Sequence, residues 1–293
     1  MNPLVTESHE ILHSRTSIVD ESFSPEKGAN YFLSIMVGDD SISWSVLDRK
    51  RNKVIVLKSK PAEESLIGVS LSHLLKTHET LAEVQYRSVH VSVVNRFSTL
   101  IPSGLYEKGD EEKYFGFNIS PEKKLLVMTN KLKTDGMVNV FGVAEPIAEA
   151  IKNSFPHSTL HHFSTPLIDG ILLSASASHE KKMFLHLQKN SCEIVVTHGK
   201  KLILYNSFPC SETEECAYYV MFVAEQLKLN HSELELNLLG EIAKESVIKK
   251  LLSQYIGNVI FCKRPSMFEY SYDFNELPSH FYFPLISQHL CAS

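Results

Sequence analysis

One order of strands and helices occurs twice in this chain, and it constrains the fold more than any single motif. Tyr31 to Val37 is an apolar run of strand length. Gly38-Asp39-Asp40 reads as a turn, and Ile42, Trp44 and Val46 then alternate with serines as in a half-buried strand. After a second turn at Arg49 to Asn52, Val54 to Leu57 is a third strand. Short turns imply antiparallel pairing. A helix carrying Leu66, Ile67, Leu71, Leu74 and Leu75 on one face follows, with Glu63 and Glu64 in its first turn, and then a strand at Val89 to Val94. Val138 to Val143 is a strand, Pro146 opens a helix, Leu160 to Phe163 is a strand, and Pro166 to Ala177 is a helix.

The same plan restarts at Met183 to Leu187, with strands at Glu193 to Val196 and Leu202 to Tyr205. Ser211-x-x-Glu214 matches a capping box, so Ser211 is expected to open a helix bearing Val220, Met221, Ala224 and Leu227. A strand at Leu234 to Leu238, a helix from Ile242 to Leu252 with Val247 inward, and a strand at Val259 to Phe261 complete it. Phe32 to Ile35 lies over Phe184 to Leu187 without a gap, and Ile42 over Ile194. The reading is an α/β protein of two duplicated lobes, each a mixed five-stranded sheet with flanking helices. Residues 31–178 and 179–293 form the lobes, residues 1–30 a polar arm, and residues 95–135 an insertion in the first lobe.

Composition narrows the function classes. The formal net charge of −5 over 293 residues argues against nucleic acid as a partner. Five cysteines, none spaced C-x-x-C, read as reduced thiols of the core. The first fifteen residues lack the apolar stretch of a secretion signal, and no run is long enough to span a membrane. The expected location is the cytoplasm. Gly is scarce, 12 of 293 residues, which matters because phosphate-binding loops use Gly where backbone meets ligand.

Strand-strand-strand-helix-strand-helix-strand, twice in one chain, resembles the actin-like ATPase superfamily, whose halves are ribonuclease H-like. Lys182 to Pro209 has the strand–turn–strand–Gly-Lys–strand texture of actin-like type IV pilus assembly proteins, and Phe281 to Ala292 resembles their closing helix. Over residues 30–292 the chain resembles a Bacteroidetes family of unknown function assigned this fold. The resemblance implies nucleotide phosphates held by two hairpins, each opening with Asp, an apolar residue and Gly. The matching positions read Ser34-Ile35-Met36 and His186-Leu187-Gln188, without the Asp or the Gly. The Gly-rich adenosine region has its counterpart in Leu238 to Ala243, with Gly240 beside Glu241. A carboxylate next to a triphosphate repels it. No cofactor is therefore expected. The alternative is a divergent ATPase or kinase binding ATP and Mg²⁺ in an interlobe cleft through Gly38, Asp39, Asp40 and Gly240. Two-metal nuclease chemistry lacks its converging carboxylates: Phe32 to Val37, Phe184 to Leu187 and Val89 to Val94 carry none, and Glu233 and Glu235 read as solvent-facing.

Other candidates carry less. His157, His161 and His162 are dense, but on a strand the last two point to opposite faces. His186 reads as a hydrogen-bonded core residue. Cys210 and Cys216 flank a helix start, where a thiolate is stabilised, but no readable His and Asp or Asn constellation accompanies them. Phe268 to Phe274 alternates aromatic and polar residues, and Phe281-Tyr282-Phe283 follows. This pattern gives a strand with its aromatic face on the core. Tyr270, Tyr272, Phe281 and Tyr282 at its edge are candidate contacts for a protein partner or a second copy. The overall expectation is a non-catalytic scaffold.

Overall fold

The computed structural model describes residues 16–62, 67–121, 123–175 and 180–292. The chain divides into two compact units. The first comprises residues 16–169 with 267–276 and 284–292, the second residues 170–266 with 277–283.

The first unit is built on the ribbon β2 (Tyr31–Val37), β3 (Ser41–Asp48) and β4 (Lys53–Pro61), paired antiparallel. β5 (Ser88–Val93) joins β2 in parallel and β9 (Thr159–His162) joins β5 in parallel. α1 (Ile67–Thr77) and α4 (Glu145–Ser154) pack on one face. Tyr31, Leu33, Ile35, Ile42, Trp44 and Val46 all point to that side and are buried. The period of two dictates this side, and each such side chain contributes about 1.5–3 kcal/mol on burial. The Trp44 indole N–H finds its acceptor in the Thr80 hydroxyl, 2.9 Å away.

The second unit repeats the arrangement. β10 (Lys181–Leu187), β11 (Ser191–His198) and β12 (Lys201–Pro209) form the antiparallel ribbon. β13 (Glu235–Gly240) and β14 (Asn258–Phe261) extend it in parallel. The order β12-β11-β10-β13-β14 matches β4-β3-β2-β5-β9 strand for strand. The register bulges at Val46/Leu47 on β3 and, 150 residues later, at Val196/Thr197 on β11. Shared order, direction and bulge establish the two mixed sheets that the sequence repeat implied, with two corrections: the hairpins superpose Val37 on Leu187 and Ile42 on Cys192, so the expected match of Ile42 to Ile194 is two residues out, and the first sheet has seven strands rather than five because two short strands also pair with β4. α6 (Thr213–Gln226) and α7 (Val247–Leu252) cover the core of this unit.

The structure departs from the expectations in several places. Within the expected arm, Ser17–Val19 is a strand, β1, on the outer edge of β4, and Pro25–Asn30 is a 3-10 turn. Met1 to Arg15, Glu63, Glu64 and Leu66 lie outside the described residues. Met137–Val143 (β8) does not join the main sheet. It sits between β6 (Ser98–Pro102) and β7 (Leu126–Lys131) in a separate antiparallel three-stranded sheet, with Phe115 of α3 (Glu111–Asn118) packed on it. The insertion thus supplies its own strand partners. Ser211 does not cap Glu214. Its N–H donates to the Glu215 carboxylate at 2.9 Å, and α6 begins at Thr213. The helix expected from Ile242 starts only at Val247, which is exposed. The aromatic run forms a two-residue strand, β15 (Glu269–Tyr270), against β4 and then a 3-10 turn at Tyr272–Glu276. Glu235 is not simply solvated, since Lys182 donates to it at 2.7 Å.

Gly240 ends β13 at φ +92°, and a methyl group there would collide with the Leu187 carbonyl on β10. Gly240→Ala is expected to cost about 2 kcal/mol or more in urea unfolding. Gly104→Ala, with nothing within 4 Å of its added carbon, serves as the near-neutral control.

Candidate functional site

The two hairpin tips occupy equivalent places at the ends of β2 and β10. At each, the first turn residue donates its backbone N–H back across the turn, Gly38 to Ser41 O and Gln188 to Ser191 O, both at 2.9 Å. Those N–H groups already have acceptors and are not turned toward a ligand. Asp40 accepts from the Ser41 hydroxyl at 3.2 Å, and its carbonyl accepts from the Ala62 N–H at 2.8 Å. Gly38, Asp39 and Asp40 therefore form the hairpin turn that their sequence suggests. Gly240 is explained by the close approach of β13 to β10.

Upstream of the first tip, Ser34 faces away from the α1 and α4 core. Its hydroxyl lies 3.1 Å from His289 Nδ1, and His289 Nε2 lies 2.9 Å from the Ser45 hydroxyl. His289 belongs to the 3-10 segment Gln288–Ala292, which packs over β2 and β5. Next to it on the same face, His90 Nδ1 and His161 Nε2 are 3.1 Å apart. All of these side chains are buried. A Ser–His pair can form a nucleophile and base, but here both members are sealed and no carboxylate orients the ring.

The second tip is solved differently. His186 of β10 stands opposite Glu193 of β11 in the register. The buried Glu193 carboxylate accepts four hydrogen bonds: His186 at 2.9 Å, Gln188 at 3.0 Å, Ser191 at 3.1 Å and Ser207 at 3.2 Å. That saturates both oxygens and leaves little for a hydrated cation. Glu193 was not singled out in the sequence. The tight turn Gln188 to Asn190, which fixes residue 186 opposite 193, was the signal.

Burial also sets the protonation of the first unit's histidines. Desolvation holds His90 and His161 down at about 4, with the Lys133 charge adding to it at both and neighbouring His90 at His161. It holds His162 and His289 at about 3. His162 lies between the Ser164 hydroxyl at 2.7 Å and the Asn95 carbonyl at 2.9 Å. The cluster is thus a set of neutral hydrogen-bonding rings.

The candidate partner residues separate. Phe281 and Tyr282 are buried, so they offer no docking surface. Phe281 packs edge-on against His280. Tyr270 is partly buried against Phe274, while Tyr272 is 83% exposed. Sequence reading missed a second aromatic ridge on α6, where Tyr218 (63% exposed) stacks on Phe222 (44% exposed). A shallow recess lined by Ala29, Asn30, Arg49, Lys50 and Arg87 lies at the opposite end of β2 from the hairpin turn.

Residues 20–259 match the model of a family described as protein of unknown function (DUF3822). The chain belongs to this family. Among solved structures, it is similar to a Bacteroides thetaiotaomicron protein described as having an actin-like ATPase fold and unknown function. Identity is 26% and the TM-score 0.77, covering 82% of this chain and 93% of the other. The PilM–PilN type IV pilus biogenesis complex gives 14% identity and a TM-score of 0.66, covering 88% of this chain and 97% of the other. The ethanolamine utilization protein EutJ of Carboxydothermus hydrogenoformans gives 11% and 0.50, covering 92% and 91%. No curated protein matches. The DUF3822 chain therefore has the actin-like ATPase fold. No helix among its described residues is long and apolar enough to cross a membrane.

The depressed histidines give a signed prediction. Their folded pKa values lie below the unfolded value of 6.5, so the unfolded chain takes up protons first. Stability is complete above about pH 6.5 and falls as pH drops toward about 4, by up to about 1.4 kcal/mol per pH unit for each ring. Urea unfolding between pH 7.5 and 4.5 measures it, and a flat profile contradicts the assignment. His289→Ala is expected to cost about 2–4 kcal/mol, by stranding the Ser34 and Ser45 hydroxyls and opening a cavity. It should also make the acid slope shallower by one proton.

Proposed function

We propose that this DUF3822 chain is a non-catalytic actin-like scaffold that binds a protein partner, or a second copy of itself, in the cytoplasm. The observation that carries this reading is the internal use of both phosphate hairpins. Their leading N–H groups close the turns, and buried Ser34 and His186, on the strands that run into them, are each bonded within the protein. A nucleotide site needs donors left unpaired until the phosphate arrives. Placing phosphate against Glu193 would set like charges together in a buried setting. The similarity to a component of the PilM–PilN complex supports the view that this fold is compatible with a role in a protein assembly.

Binding energy at protein interfaces concentrates in a few aromatic anchors. Among the exposed aromatics of the described residues, which also include Phe117 and Tyr255, Tyr272 in the first unit and the stacked Tyr218–Phe222 pair in the second are taken as the anchors.

Isothermal titration of the purified chain with Mg-ATP, ADP and GTP is expected to give no binding heat, and micromolar affinity for any of them overturns the scaffold reading. Purification from native cells is expected to bring down one stoichiometric protein or a defined homo-oligomer. Tyr272→Ser or the double change Tyr218→Ser and Phe222→Ser should release it while circular dichroism stays native. Retention by both variants removes the aromatic anchors from the proposal.

A further inference from the structure

Three of the five cysteines meet in the core of the second unit. Cys192 comes from β11, Cys210 from the connector after β12, and Cys216 from the first turn of α6. All three are buried, and their sulfur atoms lie within 4.8 Å of one another. They are not sequence neighbours forced together by a turn. They converge from three elements, with Leu187, Ile194, Ala217 and Val220 in the surrounding core.

We propose that Cys192, Cys210 and Cys216 form a site for a single thiophilic monovalent ion, Cu(I), held by three sulfurs. The donor set selects the ion. Soft thiolates favour Cu(I) and Zn²⁺ over harder cations. Zn²⁺ in structural sites takes four ligands, tetrahedrally. Among the described residues, no His, Asp or Glu joins the three sulfurs in the cluster. Glu193 is next in sequence to Cys192, but alternation along β11 turns it to the other face, where His186 and Ser207 hold it. Three sulfurs without a fourth donor suit a trigonal Cu(I) centre.

Cys210 and Cys216 lie at the start of the fourteen-residue α6, whose N-terminal dipole favours a thiolate. Cu(I) held by one thiolate and two thiol sulfurs is neutral overall, which suits the apolar core. Coordination releases one thiol proton to solvent and changes the oxidation state of neither copper nor sulfur. Ser211 and Glu212 beside Cys210 are exposed.

The test is an anaerobic titration of the full, reduced chain with Cu(I) held by a chromophoric competing chelator. The expected result is one equivalent of copper withdrawn per chain, a new near-ultraviolet sulfur-to-copper absorption, and a raised unfolding temperature. Cys210→Ala is expected to lose the bound equivalent, whereas Cys262→Ala and Cys291→Ala, outside the cluster, keep it. Failure of the native chain to take copper from the chelator overturns the site, as does a folded Cys210→Ala chain that takes it equally well. Should the core variant not fold, X-ray absorption on the copper-loaded native chain decides instead. Three sulfur scatterers support the proposal, and two or four overturn it. Zn²⁺ displacing Cu(I) in direct competition overturns the choice of ion.

Discussion

The register of two tight hairpins is the constraint on which the rest depends. Each turn has fixed length, so Val37 must face Ile42 and Leu187 must face Cys192. Side chains alternate with a period of two, so that one choice assigns every residue of four strands to a face. Trp44, Ile35 and Leu33 go to the helix-covered side of the first unit, and Leu185, Ile194 and Val196 to that of the second. A slip of one residue would bring Ser34 and Ser45, or His186 and Glu193, into those apolar layers. The identical bulge positions on β3 and β11 show the same backbone solution in both units.

Once the apolar face is fixed, Ser34, Ser45, His90, His186 and Glu193 fall on the opposite face, and burying them demands hydrogen-bond partners. The units meet that demand with different chemistry. In the first, His289 links Ser34 to Ser45, and His90 meets His161. A neutral imidazole suits the task, since it donates through one nitrogen and accepts through the other without introducing charge. In the second, a single carboxylate gathers four donors around itself. Either answer closes the face. A phosphate site requires the reverse, with donors left open and room for the ligand.

The sequence exposed those parts of the fold that depend on local periodicity. The strand order, the Gly38 to Asp40 turn and the burial of Trp44 follow from alternation and turn residues within a few positions of one another. What stayed hidden depended on partners far along the chain. His289 bonds Ser34 across 255 residues, and no local pattern announces that. Phe268 to Phe274 alternates as a strand does, yet only Glu269–Tyr270 pairs with β4, and the chain then turns into a 3-10 segment with Phe274 buried. Val138 to Val143 was legible as a strand but not as a member of a separate sheet, because its neighbours come from a less regular insertion. Of the candidate site, the missing aspartates and glycines were legible. The buried polar groups behind the hairpins were legible only in part: His186 read as a bonded core residue, whereas Glu193 required the cross-strand register.

The difference between the two networks bears on how the duplicated fold is used. Here the backbone has kept its symmetry while the side chains have not. Position 43, the counterpart of 193, is a serine, and position 36, the counterpart of 186, is a methionine. Each unit satisfies its own buried face with its own residues. A symmetric backbone with unrelated polar solutions is what independent packing demands produce: shared strand order, direction and bulge fix the two sheets, and each unit then satisfies its own buried face.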